Sequence, residues 1–230
     1  MKAIIIGGVA AGMSAASKLK RTTPSAQIHV YERGSFLSYG ACGIPYYVGG
    51  VNDDPSLLIA RSREDFEKQG IRTFLRHEVI SLDTSRRVVL IKDLDQGQVF
   101  EDSYDKLMIA VGCDSVMLPI PGADLPGVFY LKSMEDGLLL EKILNLPNVR
   151  SAVIVGGGYI GVEMAEALLE RKLSVTLIEA ADRLLTPFEP AFSGLSAQEL
   201  AREGVQLRLG EKVSAIEARG NERVVHTGSA

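Results

Sequence analysis

The chain has 230 residues, of which 46% are hydrophobic and 23% are charged, and its net charge is −4. This length and composition predict a globular protein of one or two domains with a sizeable core. The slight acidic excess argues against a general nucleic-acid-binding surface, which needs clustered Lys and Arg. Two cysteines are too few for a disulfide framework and favour a reducing compartment. We therefore expect a cytoplasmic protein that binds no nucleic acid.

The N-terminal residues allow two interpretations. Lys2 and the small apolar stretch that runs to Ala16 share features with a signal peptide. The alternative is a buried strand, a phosphate-binding turn and a tightly packed helix, which the glycines of the turn and the later Glu32 favour. No segment has the roughly 20 consecutive apolar residues that span a bilayer. We therefore expect no membrane partner.

The first part of the chain alternates between apolar strands and helices. Strands at 2–6, 27–32 and 106–110 and a helix at about 11–21 are typical of a parallel βαβ unit. A helix around 63–69 begins at Ser62, the start of a capping-box pattern, and ends at Gly70. A predicted β-meander then precedes strand 106–110, with short alternating strands near 73–75, at 78–82 with 87–91, and at 98–101.

A stiff segment divides the chain, because Pro119 and Pro121 each fix φ and disfavour helix before them. We place a first domain at 1–112, a linker at 113–122 and a second domain at 123–230. The second domain has helices at about 134–145, 160–172 and 191–203, and strands at 151–155, 174–179, 205–209 and 212–218. The predicted fold is α/β, with two Rossmann-like domains that combine parallel sheets and β-meander crossovers. The last predicted strand is 212–218. A β-meander that begins near 205 would be expected to lead to a further strand in the parallel sheet, but no strand is predicted after 218.

Two glycine-rich turns have the same local pattern. The first is Gly7-Gly8-Val9-Ala10-Ala11-Gly12, and the second is Gly156-Gly157-Gly158-Tyr159-Ile160-Gly161. Each follows a β-branched run, precedes a helix, and is followed by a strand that ends in an acid, Glu32 or Glu179. This pattern lets a helix N-terminus face a pyrophosphate while the acid accepts hydrogen bonds from a ribose. The sequence therefore predicts two dinucleotide sites.

The two turns differ at their middle position. Val9 stands where glycine would allow close approach of a pyrophosphate, whereas Gly158 keeps the usual residue. The first motif is therefore weaker when it is taken alone. Glu179 favours NADH over NADPH, because a carboxylate repels a 2′-phosphate, although Arg171 and Arg183 lie nearby in the sequence.

Cys42 lies between the two turns. Pro45 predicts a helix start that would place Cys42 near a helix N-terminus, where the dipole lowers the pKa of a thiol. A buried structural cysteine is the open alternative. Cys113 has the pattern of a structural residue. The three histidines, His29, His77 and His226, have no metal-ligand spacing, so we expect no metal.

Together these residues resemble the pyridine nucleotide–disulfide oxidoreductases, in particular their single-cysteine branch. That branch comprises coenzyme A-disulfide reductases, NADH oxidases and peroxidases, and persulfide or polysulfide reductases. The segments that carry the resemblance are 7–16, 38–47, 110–112 and 156–166, with Val111 where threonine is usual. The resemblance extends over essentially the whole chain.

The resemblance implies roles for individual residues. Expected FAD contacts are Gly7, Val9, Ala10, Ala11, Gly12, Glu32, Arg33, Ala110, Val111 and Gly112. Expected NADH contacts are Gly156, Gly158, Tyr159, Ile160, Gly161, Glu163 and Glu179, with Tyr159 as the gate to the nicotinamide. Cys42 would be the redox cysteine, and the expected substrate contacts are Arg21, Lys18 and Ser38.

The implied reaction passes electrons from NADH through FAD to Cys42 and then to a small-molecule disulfide or persulfide. An oxidase or peroxidase that uses an oxygen-type oxidant is the alternative within the family. A catalytically silent nucleotide-binding or redox-sensing module is the alternative outside it. Family members also have a returning FAD segment and a dimerisation domain, which this sequence does not contain, so a homodimer is expected only of the full-length family.

Overall fold

A computed structural model describes residues 1–229. The chain forms two compact units by contact. Unit 1 consists of Met1–Ala41 and Ser56–Asp114, and unit 2 consists of Cys42–Pro55 and the chain from Ser115 onward. The division between Asp114 and Ser115 falls inside the predicted linker, 113–122. The segment Cys42–Pro55 is grouped with unit 2, whereas the sequence prediction placed it inside a continuous domain 1–112.

The chain contains twelve strands and six α-helices within residues 1–229. In chain order they are β1 Lys2–Ile6, α1 Ala10–Thr22, β2 Gln27–Tyr31, α2 Ile44–Gly49, α3 Arg63–Lys68, β3 Ile71–Phe74, β4 His77–Asp83, β5 Val88–Asp93, β6 Val99–Ser103, β7 Lys106–Ile109, α4 Met134–Leu144, β8 Ser151–Val155, α5 Tyr159–Glu170, β9 Ser174–Glu179, α6 Pro190–Arg202, β10 Gln206–Leu209, β11 Glu211–Arg219 and β12 Glu222–Ser229. No helix in the described part of the chain is both long and apolar enough to cross a membrane.

Unit 1 is built on a parallel sheet of order β3-β2-β1-β7. Ile4 and Ile5 of the central strand β1 are both buried, because the sheet is covered on its two faces. Ile5 lies in a core cluster with Met13 of α1, and Ile4 lies in a cluster with Val89 and Ile91 of the meander. The helix and the meander therefore sandwich the sheet.

The meander of unit 1 differs from its prediction in one strand. β4, β5 and β6 form the antiparallel meander, and β7 returns to pair with β1, as predicted. Residues 73–75 were predicted to belong to the meander, and this was wrong: β3 pairs with β2 in the parallel sheet. The physical reason is burial: Ile71 and Thr73 are both buried, and Ile71 packs in the same core cluster as Ile5 and Met13.

Helix α3 has the predicted ends. The Ser62 hydroxyl accepts a hydrogen bond from the Asp65 amide at 3.2 Å, which is the first half of a capping box. After the helix, Gly70 has φ +77°, a left-handed conformation that glycine adopts without strain.

A polar cluster joins the meander of unit 1 to its parallel sheet. The carboxylate of Asp102 accepts a hydrogen bond from the Tyr31 hydroxyl at 2.8 Å, lies 2.9 Å from Nδ1 of His29 and forms an ion pair with Lys2. Burial raises the pKa of Asp102, but the hydrogen bonds from Lys2, His29 and Tyr31 outweigh it and hold the pKa below its ordinary value. Burial lowers the pKa of His29, against the effect of Asp102.

Unit 2 has a parallel sheet of order β10-β9-β8 and an antiparallel pair, β11-β12. The sequence predicted no strand after 218, and this was wrong, because residues 222–229 form β12 opposite β11. Gly220, at φ +59°, allows the short reversal between them. Ile216 and Val213 of β11 pack in an apolar cluster with Ile178 of β9. The last residue, Ala230, lies outside the described part.

Candidate functional site

The first glycine-rich turn connects β1 to α1 in unit 1. Gly7 has φ +103°, and its amide donates to the Tyr31 carbonyl at 2.8 Å. A Cβ added at Gly12 would lie only 1.8 Å from the Gly7 carbonyl oxygen. Glycine is therefore needed at Gly7 for the turn and at Gly12 for the close approach of helix and strand. Val9 is the N-cap of α1, and Ala10 and Ala11 are exposed at its first turn.

The carboxylate of Glu32 is hydrogen-bonded to this turn. Its Oε2 accepts a hydrogen bond from the Gly8 amide at 2.6 Å, and its Oε1 accepts one from the Gly34 amide at 2.7 Å. A Cβ at Gly8 would lie 3.0 Å from the Glu32 Cβ, so the second glycine permits the close approach. Gly8 was not among the predicted FAD contacts, although the doubled glycine, Gly7-Gly8, was its signal in the sequence.

The second turn repeats this geometry between β8 and α5 in unit 2. Gly156 has φ +110° and donates to the Ile178 carbonyl at 2.9 Å. A Cβ at Gly161 would lie 2.0 Å from the Gly156 carbonyl oxygen. Oε2 of Glu179 accepts from the Gly157 amide at 2.6 Å, and its Oε1 accepts from the Ala181 amide at 2.7 Å.

The two carboxylates fit the ribose of a dinucleotide. An ionised carboxylate has about four acceptor positions, and the backbone donors use one on each oxygen of Glu32 and of Glu179. The remaining positions can accept two ribose hydroxyls. A Cβ built on Gly158 meets no atom within 4 Å, so the second turn leaves space where a pyrophosphate would approach the backbone. These residues therefore fit a bound dinucleotide.

The first turn of α5 presents an exposed aromatic side chain beside this space. Tyr159 is 55% exposed and packs edge-to-face on Phe188, with ring centroids 5.7 Å apart. Ile160 is 49% exposed, and Glu163 lies half-buried one helical turn further along. An exposed flat ring at a helix N-terminus is suited to covering a planar ligand.

Cys42 lies where the sequence predicted, immediately before a short helix. It belongs to the 3₁₀ turn Ala41–Gly43, and α2 follows with Pro45 in its first turn. Its thiol is free and exposed, which excludes the buried structural alternative. Cys113 is also free and exposed, so its surroundings give no support to the structural role predicted for it.

Ser38 precedes Cys42 and belongs to unit 1. Its amide donates to the Gly8 carbonyl at 2.9 Å, and its carbonyl accepts from the Ala60 amide at 2.8 Å. It has φ +52°, an uncommon conformation for serine that these two bonds maintain. The backbone at Ser38 is thereby fixed to the first glycine-rich turn.

The residues that follow β7 lie beside the first turn. The Ala110 amide donates to the Ile6 carbonyl at 2.7 Å, and a Cβ on Gly7 would lie 2.2 Å from the Ala110 oxygen. Val111 is 60% exposed, and Gly112 has φ +66°. Arg33, an expected FAD contact, forms a two-pronged ion pair with Asp114 at the surface of unit 1.

The remaining candidates lie on α1 of unit 1. Lys18 and Arg21 are both exposed and three residues apart, so they share a face of the helix. Within residues 1–229, no group of His, Cys, Asp or Glu side chains is arranged to hold a metal ion.

Comparisons with known proteins agree with this arrangement. The chain is 37% identical over 222 residues to an NAD(P)H sulfur oxidoreductase (CoA-dependent) of Pyrococcus abyssi, covering 96% of this chain and 48% of that protein. It is 34% identical over 220 residues to an NADH oxidase of Enterococcus faecalis, covering 95% of this chain and 49% of that protein. The chain thus spans about half the length of these relatives.

Solved structures and a family model complete the comparison. The structure of an NAD-dependent persulfide reductase from A. fulgidus superposes with a TM-score of 0.94 at 32% identity, covering 100% of this chain and 43% of that one. A family model described as pyridine nucleotide-disulphide oxidoreductase matches residues 1–230. The paired turns, their acids and the match over the whole sequence lead to one conclusion: the chain belongs to the pyridine nucleotide-disulphide oxidoreductase family.

Proposed function

We propose that this chain supplies the two dinucleotide sites and the redox cysteine of an FAD-dependent oxidoreductase. In this proposal NADH is the electron donor, and a small-molecule disulfide, such as coenzyme A disulfide, or a persulfide is the acceptor. The observation that carries the proposal is the repeated turn in which an acid is held by two backbone amides, together with an exposed free cysteine that lies between the two turns in the sequence.

The second turn is proposed as the NADH site. Glu179 would accept the ribose hydroxyls, and its negative charge would repel the 2′-phosphate of NADPH. Of the two arginines that lie near Glu179 in the sequence, Arg171 has its guanidinium bonded to other elements and is not available to a 2′-phosphate. Arg171 donates to the Val48 carbonyl at 2.7 Å and to Asn145 at 2.5 Å, and Arg183 lies 3.4 Å from the Thr186 carbonyl. This supports NADH as the preferred nucleotide.

The first turn is proposed as the FAD site. When bound, FAD accepts a hydride equivalent from NADH and delivers two electrons to a sulfur centre. The chain's own residues would position it. Glu32 would accept hydrogen bonds from the ribose, and the amides at the start of α1 would donate to the pyrophosphate. Val111 and Gly112 would lie beside the ring system. Because Val9 has a side chain where the second turn has Gly158, we expect the pyrophosphate to approach the first turn differently.

Cys42 is proposed as the residue that reacts with the acceptor. Attack of its thiolate on one sulfur of a disulfide forms a mixed disulfide and expels the second sulfur as a thiolate. Two electrons, supplied by NADH, then cleave the sulfur–sulfur bond of the mixed disulfide, which returns Cys42 to its thiolate and releases the bound sulfur group as a second thiolate. The exposure of the thiol supports this role, because a bulky acceptor must reach it. Two free, exposed cysteines also support a reducing, cytoplasmic location.

Lys18 and Arg21 are proposed to bind the phosphates of the acceptor. Both are exposed cations on one face of α1, and phosphate oxygens are their natural partners. This supports coenzyme A disulfide over a simple inorganic sulfur species. The similarity to an NADH oxidase favours, as a second candidate, an oxygen-type oxidant that converts Cys42 to a sulfenic acid.

The NADH site is tested by equilibrium binding of NADH and NADPH to the wild-type chain and to Glu179→Gln. The variant keeps an acceptor for the Gly157 amide but loses the charge. We expect NADH to bind about tenfold more weakly and the preference for NADH to fall, because charge-assisted hydrogen bonds are lost. Glu203→Ala, an exposed acid paired with Arg202, is the matched control. An unchanged preference in Glu179→Gln would refute the assignment.

The thiol chemistry is tested without air on the chain reconstituted with FAD, in a Cys113→Ser background. Coenzyme A disulfide is expected to release one coenzyme A thiol for each Cys42 and to leave a mixed disulfide, which mass spectrometry detects. Cys42→Ser should release none. Release that is equal in both variants contradicts the role of Cys42. Oxygen, peroxide and polysulfide, offered in turn after reduction by NADH, then distinguish the acceptors.

A further inference from the structure

Helix α2, which begins just after the turn that carries Cys42, is too short to be stable without contacts from other elements. It has only six residues, Ile44–Gly49, and isolated helices shorter than about 12 residues are marginal in water. Five of its residues are buried: Ile44, Pro45, Tyr47, Val48 and Gly49. The orientation of α2 within unit 2 therefore depends on the elements that pack around it, which are α4 and α5.

Two glycines bring these helices to close contact. A Cβ added at Gly49 of α2 would lie 3.1 Å from the Cα of Ala167 in α5. A Cβ added at Gly137 of α4 would lie 2.6 Å from a methyl group of Ile44 in α2. Both contacts are apolar and act on opposite ends of α2. They restrict how far the helix can move sideways, but they contain no directional bond.

Arg171 supplies the directional bonds. It is the C-cap residue of α5, and its Nε donates to the Val48 carbonyl at the end of α2 at 2.7 Å. Its Nη1 donates to Oδ1 of Asn145 at 2.5 Å, and its Nη2 lies 3.5 Å from Oε1 of Glu141. The Arg171 side chain is only 17% exposed. One planar guanidinium therefore ties the C-terminal end of α2 to both α4 and α5.

We propose that Arg171 is a positioning residue for Cys42. By fixing the C-terminal end of α2 to α4 and α5, Arg171 holds the whole short helix, and with it the turn that carries the thiol. This proposal rests on the proposed function in one respect, that Cys42 is the reacting thiol. Arg171 itself does not touch Cys42, and no contact between the two residues is required.

The test measures the rate of alkylation of Cys42 by iodoacetamide across a range of pH, in a Cys113→Ser background and without any cofactor. An unstructured peptide of residues 36–47 provides the reference profile. We expect the profile of the folded chain to differ from that of the peptide. Arg171→Ala should move the rate constant about threefold to tenfold toward the peptide value, the range expected for loss of a hydrogen bond of ordinary net strength.

Arg202→Ala is the matched control, because Arg202 is an arginine at a helix end whose pairs with Glu199 and Glu203 are exposed. Its alkylation profile should overlay that of the parent chain. Urea unfolding of each variant separates a local effect on the thiol from a global loss of structure. Should Arg171→Ala fail to unfold cooperatively, Arg171→Lys is decisive: it retains one donor for Val48 but not the planar fork, and an intermediate profile is expected.

Two results would overturn the proposal. One is a folded Arg171→Ala or Arg171→Lys chain with the same alkylation profile as the parent. The other is a parent profile that already matches the peptide, because the fold would then impose nothing on Cys42 for Arg171 to maintain. Neither result bears on the nucleotide sites, whose failure would appear instead in the binding of NADH.

Discussion

The two glycine-rich turns have nearly the same geometry, although they lie in different units. Gly7 and Gly156 both have φ above +100°. The amide of each donates a hydrogen bond to the backbone carbonyl of the residue that precedes the acid. Glu32 and Glu179 each accept two backbone amides at 2.6 and 2.7 Å. The same short pattern of residues therefore produces the same local structure twice, independently of what surrounds it.

The surroundings of the two turns differ. β1 is paired on both sides, with β2 and β7, so a Cβ on Gly7 would collide with the Ala110 carbonyl at 2.2 Å. Among the described residues β8 pairs only with β9, and a Cβ on Gly156 meets no atom within 4 Å. In both turns glycine is needed for the positive φ. In the first turn it is also needed because the residue after β7, Ala110, leaves no space for a side chain. The comparison thus separates two reasons for glycine that usually coincide.

The two units also attach their antiparallel strands differently. In unit 1, Tyr31, which precedes Glu32, bonds to Asp102 of the meander through its hydroxyl. In unit 2, Ile178, which precedes Glu179, packs against Val213 and Ile216. Equivalent positions therefore carry a polar, titratable connection in unit 1 and an apolar one in unit 2.

The largest expected effect comes from alanine at the first glycine of each turn. Gly7→Ala should lower the free energy of unfolding by at least about 3 kcal/mol, because a strained φ is combined with a backbone collision. Gly156→Ala should cost only about 1 to 2 kcal/mol, the strain alone. Urea denaturation measures both. Gly97→Ala, at φ +73° with no atom within 4 Å, is the control for strain in unit 1. Equal losses at Gly7 and Gly156 would show that the Ala110 carbonyl adds no steric cost at Gly7.

The next effect is a difference in acid sensitivity. The pKa of Asp102 is lowered in the fold, so its contribution to stability is present above its ordinary pKa of 3.8 and is lost as the pH falls further. The pKa of His29 is also lowered, so the folded chain holds it neutral and loses stability as the pH falls below 6.5. Both groups act in the same direction, and both belong to unit 1.

We therefore expect β1 to lose protection before β8 as the pH falls from 7 to 3, by about 1 to 2 kcal/mol in opening free energy. The His29 part of the loss should begin below pH 6.5, and the Asp102 part below pH 3.8. Amide hydrogen exchange, corrected for the intrinsic effect of pH, measures this. Asp102→Asn should lower the protection of β1 at pH 7 and remove the part of the loss that occurs below pH 3.8. Parallel losses in β1 and β8 would show that the polar cluster makes no special contribution.

The smallest effect on stability is expected from exchanging the middle residues of the turns. Gly158→Val should change the free energy of unfolding by less than about 1 kcal/mol, because its Cβ meets no atom within 4 Å and its φ is −78°. NADH binding should nevertheless weaken about tenfold or more, as the valine fills the space near the pyrophosphate. Val9→Gly is the reciprocal variant and should leave stability within about 1 kcal/mol. Unchanged NADH affinity in Gly158→Val contradicts the site.

Local patterns in the sequence were sufficient for much of this structure. The strands β1, β2 and β8, their turns and the ends of α3 follow from hydrophobic runs, glycine positions and one capping serine. The position of Cys42 just before a helix follows from Pro45. These features are determined by interactions over a few residues, which is why the prediction succeeded.

Features that depend on distant partners were not predicted. β3 has the alternation of a meander strand but pairs in the parallel sheet, and β12 becomes a strand because β11 lies beside it. The bond from Arg171 to Val48 joins residues 123 positions apart. In the sequence, Arg171 was only a cation near Glu179 that weakened the predicted preference for NADH, whereas its contacts lie with α2 and α4. Tertiary pairing of this kind has no local signature.

The hydrogen bonds that hold Glu32 and Glu179 have a further consequence for association. Each carboxylate has its rotamer set during folding, so a dinucleotide does not have to order that side chain when it arrives. Such preorganisation removes a conformational step before the ribose hydroxyls can bond. Association at each turn should then proceed as a single-step encounter, and differences in affinity among ligands should appear mainly in their rates of release.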